Sequence, residues 1–319
     1  MYKVVVTCPP MLRNIDSVRP FFKLHNVELF TPEVVQVLSV EELKNIIPHY
    51  DGWIIGDDPA TREVFETARA GRLKAAVKWG VGVDNVDFKA AKDLGIPITN
   101  TPGMFGKEVA DIALGYVIAL ARDTFFIDRE VRAGHWPKPT GISLSGKTAA
   151  IVGFGDIGAN IAKRLLACDM RLHIYDPFYT PKKGLEAVVP LSFPDQMEEA
   201  DFLILACALT KQNFHMIDTG IFSKVKHGIR IVNVARGPII DENALIDALR
   251  NGTVDSAALD VFEVEPLPAD SPLRKLPRCI LGSHNSSNSI DAVERTNMLA
   301  TKTLFEFLGI SSGMQRNDP

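Results

Sequence analysis

Short apolar runs alternate with amphipathic stretches along most of the 319-residue chain. This alternation is typical of parallel βαβ units, in which buried strands are joined by helices that cover the sheet. In the first third of the chain the pattern predicts five strands, at residues 3–8, 27–30, 52–55, 75–79 and 96–99. Helices are predicted between them, at residues 15–24, 39–47, 61–70 and 87–94.

The rest of the chain repeats the pattern more regularly. Residues 107–122 are apolar on nearly every side and predict a buried helix, which continues as a more polar helix over residues 122–134. Six strands are then predicted, at residues 148–153, 171–175, 202–206, 230–233, 256–260 and 279–282. Six strands make a complete doubly wound sheet without help from the first third of the chain.

The first hundred or so residues must therefore form a separate α/β domain, called the first domain below, and the six later strands belong to the second. Asp241 is an N-cap candidate for a helix that ends near Gly252. Residues 291–308 are amphipathic and predict the last helix of the chain. Because this last helix has no strand to serve in the second sheet, we expect it to pack back on the first domain.

Composition and charge narrow the possible partners. The formal net charge of −4 gives no electrostatic reason to expect nucleic acid or a membrane surface. No apolar run reaches the ~20 residues of a membrane helix, and the chain begins as a strand rather than a signal peptide, which predicts a cytoplasmic protein. The four cysteines form no metal-binding or redox pair, so we interpret them as small core residues and predict no metal site.

A dinucleotide-binding fingerprint follows the first strand of the second domain. Gly153-Phe154-Gly155-Asp156-Ile157-Gly158 is a GxGxxG that lies between an apolar strand and a helical pattern. The first glycine allows a tight turn, the second lets the diphosphate approach the backbone, and the third lets helix and strand pack closely. Asp176, after the next strand, would bind the ribose hydroxyls and repel a 2′-phosphate. The fingerprint therefore predicts NAD rather than NADP.

Three residues with complementary chemistry follow three later strands. Arg236, Glu265 and His284 each lie at a strand end, where polar residues of an open α/β sheet face the ligand. A guanidinium binds a carboxylate bidentately, and a carboxylate beside an imidazole stabilises the imidazolium and fixes its tautomer. Considered singly, each residue has a commoner role as a surface arginine, a solvated acid or a structural histidine. Together they predict hydride transfer between a nicotinamide and a 2-hydroxy or 2-oxo acid, with His284 exchanging the proton.

The motifs and their order along the chain resemble those of the D-isomer-specific 2-hydroxyacid dehydrogenases, and most of all those of the D-3-phosphoglycerate dehydrogenase group. The resemblance covers residues 78–87, 100–103, 152–158, 233–237 and 259–266. It implies that Arg236, Glu265 and His284 are the catalytic residues and that NAD is the cofactor. It also implies two Rossmann-like doubly wound domains with a cleft between them, and a homodimer formed through the helix at residues 107–122. Residues 1–100 and 286–319 would form the substrate domain, and residues 101–285 the NAD-binding domain.

The resemblance also assigns ligand contacts residue by residue. Backbone amides of the loop that begins at Trp79 would bind the substrate carboxylate, so the implied substrate set is Lys78, Trp79, Gly80, Val81, Gly82 and Arg236. The implied cofactor set is Gly153, Gly155, Asp156, Ile157, Gly158, Asp176, Cys207, Val234, Ala235, Arg236, Asp260, His284 and Ser287.

The chain departs from the family pattern at several places, two of which bear on ligand binding. The family usually has proline before the catalytic histidine and an apolar residue then glycine or alanine after it, whereas this chain has Ser283 before His284 and a run of asparagine and serines after it. Phosphoglycerate-type members tend to carry an arginine after the third strand, where this chain has Asp57 and Asp58. Phosphate recognition would then need Arg13, Lys78 or a partner subunit.

Two other functions are compatible with these motifs. One is a dehydrogenase of another hydride donor on the same scaffold, such as phosphite or a phosphonate aldehyde. The formate type is disfavoured because it has an amide where this chain has Glu265. The other is a nucleotide-sensing, corepressor-like protein that keeps the three residues.

Overall fold

The computed structural model describes residues 1–310, which form two compact units. The first unit contains Met1–Phe105 together with the described chain from Asn288 onward. The second unit is the continuous segment Gly106–Ser287. The boundaries that we predicted from the sequence lie a few residues before these.

Five parallel strands form the sheet of the first unit. They are β1 (Tyr2–Val6), β2 (Val27–Phe30), β3 (Gly52–Ile55), β4 (Ala75–Lys78) and β5 (Ile98–Asn100). The helices are α1 (Pro9–Arg13), α2 (Arg19–Leu24), α3 (Val40–Ile46), α4 (Arg62–Ala70) and α5 (Phe88–Asp93). The strand order β2-β1-β3-β4-β5 is the flavodoxin-like variant of the doubly wound sheet.

One helix of the first unit differs from the prediction. In place of a single helix over residues 15–24, the chain forms a 3-10 turn at Ile15–Ser17 and then α2, and the unpredicted α1 lies before them. Pro20 lies in the first turn of α2. Proline has no N–H to donate and clashes with a preceding helical turn, so it is tolerated at the start of a helix and not in its interior.

The second unit has seven parallel strands. They are β6 (Thr148–Val152), β7 (Arg171–Tyr175), β8 (Val189–Pro190), β9 (Phe202–Leu205), β10 (Ile229–Asn233), β11 (Val254–Leu259) and β12 (Cys279–Leu281). The helices are α6 (Gly106–Arg122), α7 (Thr124–Arg132), α8 (Asp156–Leu166), α9 (Thr219–Phe222) and α10 (Glu242–Asn251). The order β12-β11-β10-β9-β6-β7-β8 contains the 3-2-1-4-5-6 arrangement of dinucleotide-binding domains. The one strand of this sheet that was not predicted is β8, because it consists of two exposed residues and has no apolar run.

Helix α6 belongs to the second unit, where it packs on α8 and on strands β10 and β11. Its buried side is made largely of small residues, among them Ala110 and Ala113. The predicted continuation into α7 is broken at Asp123, whose backbone has a φ of +54°. Across the described residues, no helix is both long and apolar enough to cross a membrane.

The last described helix, α11 (Ile290–Phe307), packs on β3, β4 and α1 of the first unit. Its buried Phe305 lies with its ring 5.2 Å from that of Phe22 in an edge-to-face arrangement. The Nε1 of Trp79 donates a 2.8 Å hydrogen bond to Oδ1 of Asn297. Segments that are far apart in the chain therefore share the first core, as the sequence predicted.

Side chains at the helix ends explain where several helices begin. Ser39 and Glu42 form a capping box at the start of α3, in which the side chain of each residue accepts a hydrogen bond from the backbone N–H of the other. Asp241 caps α10 by accepting from the N–H of Ala244, and α10 ends at Gly252, whose φ of +83° is favoured by glycine.

Candidate active site

One edge of the second sheet carries most of the predicted site. The strand register aligns Val152, Leu205, Asn233, Leu259 and Leu281 across five neighbouring parallel strands. The segments that follow these residues contain the fingerprint, Cys207, Arg236, Glu265 and His284. Because the strands are parallel, all of these segments leave the sheet at its carboxyl edge, where open α/β sheets bind their ligands.

The three fingerprint glycines have three different surroundings. Gly153 has a φ of +93°, and a Cβ there would lie 2.6 Å from the Cα of Cys207. A Cβ on Gly158 would lie 2.0 Å from the carbonyl oxygen of Gly153, so this glycine lets α8 pack against β6. Apart from its neighbours in the chain, no atom of residues 1–310 lies within 4 Å of a Cβ built on Gly155. The open space at Gly155, at the start of α8, fits the approach of a dinucleotide diphosphate to the backbone.

Asp156 and Ile157 form the first turn of α8. The carboxylate of Asp156 accepts a 3.1 Å hydrogen bond from Asn160, and it fills the space that a Cβ on Gly106 would occupy. The side chain of Asp156 is therefore used within the protein. A diphosphate contact at this position would use the backbone N–H.

The carboxylate of Asp176 is held by two backbone amides. Oδ2 accepts from the N–H of Phe154 at 2.6 Å, and Oδ1 accepts from the N–H of Phe178 at 2.8 Å. One of these amides belongs to the fingerprint turn itself. This places a fixed negative charge beside the turn, as the predicted preference for NAD over NADP requires.

Cys207 follows β9 and is half-buried. Burial is the main cause that raises the pKa of its thiol to about 11, with the charge of Asp176 adding to the effect. A raised pKa disfavours the thiolate, so Cys207 is better suited to lining a cofactor site than to nucleophilic attack.

The turn that carries Arg236 is shaped by the buried side chain of Asn233. Oδ1 of Asn233 accepts from the N–H of Ala235 at 3.0 Å, and its Nδ2 donates to the carbonyl of Arg236 at 3.0 Å. Val234, Ala235 and Arg236 are thus held in a fixed backbone path directly after β10. Nη1 of Arg236 donates to the carbonyl of Ala235 at 2.9 Å.

Glu265 and His284 form a hydrogen-bonded pair. The Nδ1 of His284 lies 2.7 Å from Oε2 of Glu265, and both side chains are partly exposed. The other carboxylate oxygen of Glu265 accepts from the N–H of Phe262 at 2.9 Å. This second bond fixes the carboxylate, so that the imidazole is oriented by a rigid partner.

Asp260 organises the loop that carries His284. Its carbonyl accepts from the N–H of His284 at 2.7 Å. Its two carboxylate oxygens accept from the amides of Asn285 and Ser286, at 3.1 and 2.9 Å. The predicted cofactor contact Asp260 is therefore a buried loop anchor, and the loop ends at Ser287, the last residue of the second unit.

The predicted substrate loop lies in the first unit, after β4. The N–H of Trp79 donates to the carbonyl of Ile55 at 2.9 Å, and the N–H of Gly80 donates to Oγ1 of Thr101 at 2.8 Å. These two amides therefore have partners within the protein, and the substrate role of the loop stays a prediction. Val81 and Gly82 are the members of the predicted set whose amides could receive a carboxylate.

Lys78, at the end of β4, is almost completely buried, with 2% of its surface exposed. Its Nζ lies 2.9 Å from Oδ1 of Asp57 and donates to the carbonyl of Trp79 at 3.0 Å. It also lies 3.6 Å from the position of a Cβ on Gly80. The cation predicted for the substrate set is therefore beside the loop, but it is paired with a carboxylate.

Sequence reasoning identified the strand ends but missed several residues that shape the site. Asn233 and Thr101 hold the two ligand loops, and the anchoring role of Asp260 was not anticipated. A polar residue directly at the end of an apolar strand was the only available signal, and it does not reveal which backbone groups that residue binds.

Comparison with known proteins supports the family predicted from these motifs. Residues 114–286 match the family model described as D-isomer specific 2-hydroxyacid dehydrogenase, NAD binding domain. The chain is 36% identical over 281 residues to a glyoxylate reductase of Thermofilum pendens, covering 85% of this chain and 82% of that protein. It is 35% identical over 306 residues to a D-3-phosphoglycerate dehydrogenase of Archaeoglobus fulgidus, covering 95% of this chain and 56% of that protein.

Among solved structures, that of the TT0316 protein from Thermus thermophilus superposes with a TM-score of 0.85 at 30% identity, covering 96% of this chain and 97% of that one. Together these matches confirm the predicted family, the two-domain Rossmann-like fold and the NAD cofactor. The chain is an NAD-dependent oxidoreductase that belongs to the D-isomer specific 2-hydroxyacid dehydrogenase family.

Proposed function

We propose that this protein reduces small 2-oxo acids to D-2-hydroxy acids, and catalyses the reverse oxidation, with Arg236, Glu265 and His284 as its catalytic residues. The observation that carries the proposal is the 2.7 Å contact between His284 Nδ1 and Glu265 Oε2. This pair lies at the same sheet edge as the dinucleotide fingerprint. A histidine oriented by a carboxylate beside a nicotinamide site is suited to general acid–base chemistry.

In the reduction, each residue has one task. Glu265 binds Nδ1 of His284, so Nε2 is the nitrogen that gives a proton to the carbonyl oxygen of the substrate. Arg236 binds the substrate carboxylate and polarises the adjacent carbonyl. Bound NADH supplies the hydride that C2 of the substrate accepts. In the oxidation, His284 takes the hydroxyl proton back.

The surroundings of Lys78 favour a substrate without a phosphate. Asp57 lies 2.9 Å from the buried ammonium and balances its charge, and Asp58 follows in the same turn. A second anionic group beside this turn would meet the half-exposed carboxylate of Asp57, whereas Asp58 is buried. We therefore infer an unphosphorylated substrate of the size of glyoxylate or hydroxypyruvate, although the sequence most resembles the phosphoglycerate group.

A screen of substrates tests this proposal. NADH oxidation is measured with glyoxylate, hydroxypyruvate and 3-phosphohydroxypyruvate, and each assay is repeated with NADPH. We expect the first two acids to be reduced with much higher kcat/KM than the phosphorylated one, and NADH to be preferred. Inactivity with every 2-oxo acid would contradict the proposed function. A preference for the phosphorylated acid would contradict only its substrate class.

The role of His284 is tested by His284→Ala. Because general acid–base catalysis contributes about 10²–10⁴-fold, we expect kcat to fall by about that factor while NADH still binds. His135→Ala is a matched control, since Nδ1 of the exposed His135 lies 2.7 Å from Oε2 of Glu130 in a pair of the same geometry. Activity retained in His284→Ala would refute the acid–base role of His284.

The cytoplasmic location and the homodimer stay predictions.

A further inference from the structure

The turn carrying Arg236 packs directly against the turn carrying Glu265. A Cβ built on Gly237 would lie 1.9 Å from the carbonyl carbon of Phe262 and 2.4 Å from the nitrogen of Glu263. The two backbones are therefore in contact immediately beside both proposed catalytic residues. A small slip between these turns would move the guanidinium relative to the Glu265–His284 pair.

Two glutamates join the turns through reciprocal hydrogen bonds. The N–H of Glu242 donates to Oε1 of Glu263 at 2.8 Å, and the N–H of Glu263 donates to Oε2 of Glu242 at 3.4 Å. Glu242 begins α10, just after the Arg236 turn, whereas Glu263 lies two residues before Glu265. Each side chain therefore binds the backbone of the opposite turn.

His215 adds a third connection. Its backbone N–H donates to the carbonyl of Pro238, in the Arg236 turn, at 2.8 Å. Its Nε2 lies 2.9 Å from Oε1 of Glu263, although the two atoms do not form a hydrogen bond. The imidazole thus faces the carboxylate that bridges the turns. We call His215, Glu242 and Glu263 the clasp.

The clasp brings two carboxylates together, which costs electrostatic energy. Burial raises the pKa of Glu242, and the negative charge of Glu263 raises it further, against the hydrogen bond from the N–H of Glu263. Asp241, which caps α10, also lies near this group. These side chains are not simply solvated surface groups, because Glu242 and Glu263 bind specific backbone amides of the two turns.

Building on the function proposed above, we propose that Glu263 is a positioning residue: through the clasp it fixes the Arg236 turn against the Glu265 turn. The side chain of Glu263 contacts Glu242 and His215, so its effect on the Glu265–His284 pair acts through the backbone. A displacement of about 1 Å in an active site can reduce turnover by about 10²-fold. Loss of the clasp should therefore reduce catalysis without preventing folding or NADH binding.

The test compares Glu263→Ala with Glu263→Gln. Glutamine keeps an oxygen that can accept from the N–H of Glu242, whereas alanine removes it. We expect Glu263→Ala to lower kcat/KM for the preferred 2-oxo acid by about 10–100-fold, with NADH affinity and Tm nearly unchanged. Glu263→Gln should recover most of the lost activity. Glu130→Ala, which breaks the exposed Glu130–His135 pair, is the matched control and should behave as the wild type.

A second measurement does not depend on a known substrate. Hydrogen exchange in the peptides covering residues 236–242 and 260–266 should be faster in Glu263→Ala than in the wild type or Glu130→Ala. If Glu263→Ala retains full activity and normal exchange while the wild type turns over, the clasp is wrong and the proposed function stands. If the wild type is inert but exchange rises in both peptides, the clasp stands and the proposed function fails.

Metal binding is the competing explanation of this cluster. Ligand atoms of His215, Asp241 and Glu263 all lie within 4.8 Å of one another. We expect neither Zn²⁺ nor EDTA to change activity or Tm. The opposite result would be that EDTA abolishes the activity of the wild type and Zn²⁺ restores it, whereas the activity of His215→Ala responds to neither. That result would assign these residues to a metal site and overturn the positioning role.

Discussion

At the residue scale, His284 has a backbone conformation that its neighbours impose. Its φ of +54° lies in the left-handed region, which residues other than glycine seldom adopt. The carbonyl and both carboxylate oxygens of Asp260 bind three successive amides that begin with His284. These bonds offset the backbone strain and direct the imidazole toward Glu265. The serine-rich run after His284 is thus held by Asp260.

Replacing Glu265 should change the pH dependence of the reaction. Reduction requires a protonated His284, and the carboxylate 2.7 Å away stabilises that positive charge. In Glu265→Gln we expect kcat/KM to fall by about 10²-fold or more and the alkaline limb of its pH profile to move to lower pH. Glu130→Gln is the control. A reduced rate with an unshifted limb would show that Glu265 does not interact with the titrating group.

Asp58 should make the stability of the first unit depend on pH. It is fully buried, and burial raises its pKa despite hydrogen bonds from the amides of Leu38 and Gly56 and from the hydroxyl of Thr7. A raised pKa in the folded state gives a stabilising contribution that is complete below the unfolded pKa of about 3.9. The contribution is lost as the pH rises through the folded value.

The matched variant is Asp58→Asn, which cannot ionise. As the pH rises from about 4 toward neutrality, the free energy of unfolding of the first unit should shift in favour of the variant. Urea unfolding followed by tryptophan fluorescence includes this region, because Trp53 is one of three tryptophans and its Nε1 donates to Oγ1 of Thr7 at 2.9 Å. Parallel stability curves for the two proteins would show that Asp58 does not titrate over this range.

At the scale of elements, the glycines of the fingerprint turn should separate folding from cofactor binding. Gly155 has open space around it, so Gly155→Ala should keep its Tm but bind NADH at least about tenfold more weakly, because a methyl group enters the diphosphate space. Gly158→Ala forces a methyl group against the carbonyl of Gly153 and should lose about 1–3 kcal/mol of stability. Thermal unfolding and NADH fluorescence titration measure both. Normal NADH binding by Gly155→Ala would contradict the assigned diphosphate site.

The elements also show what a sequence can and cannot predict. Apolar runs such as β6 and β10 predict buried parallel strands, and parallel strands align their carboxyl ends, so Arg236, Glu265 and His284 could be assigned to one edge. The short β8 carries no such run. The pairing of Lys78 with Asp57 and the clasp depend on the paths of loops, which are set by tertiary contacts rather than by periodicity. For the same reason the sequence did not reveal that the amides of Trp79 and Gly80 bind Ile55 and Thr101.

At the scale of the whole molecule, exposed apolar side chains on the second unit favour the predicted homodimer. Ile112 and Ile118 on α6, Phe125 on α7 and Trp136 beyond it are exposed, with 77% of the surface of Trp136 accessible. Exposed apolar groups of this kind often mark protein interfaces. Light scattering should give twice the chain mass of 35.0 kDa, and Ile118→Lys combined with Trp136→Ser should give a single chain. A wild type that is monomeric at all concentrations would exclude the dimer.

The position of α11 has a consequence for how the protein is made. Because Phe305 and Asn297 contact residues from the first third of the chain, the first core is incomplete until α11 leaves the ribosome. The continuous nucleotide-binding segment is synthesised earlier and can fold while the nascent chain is still growing. The strands of the first sheet are thus synthesised well before the helix that completes their core.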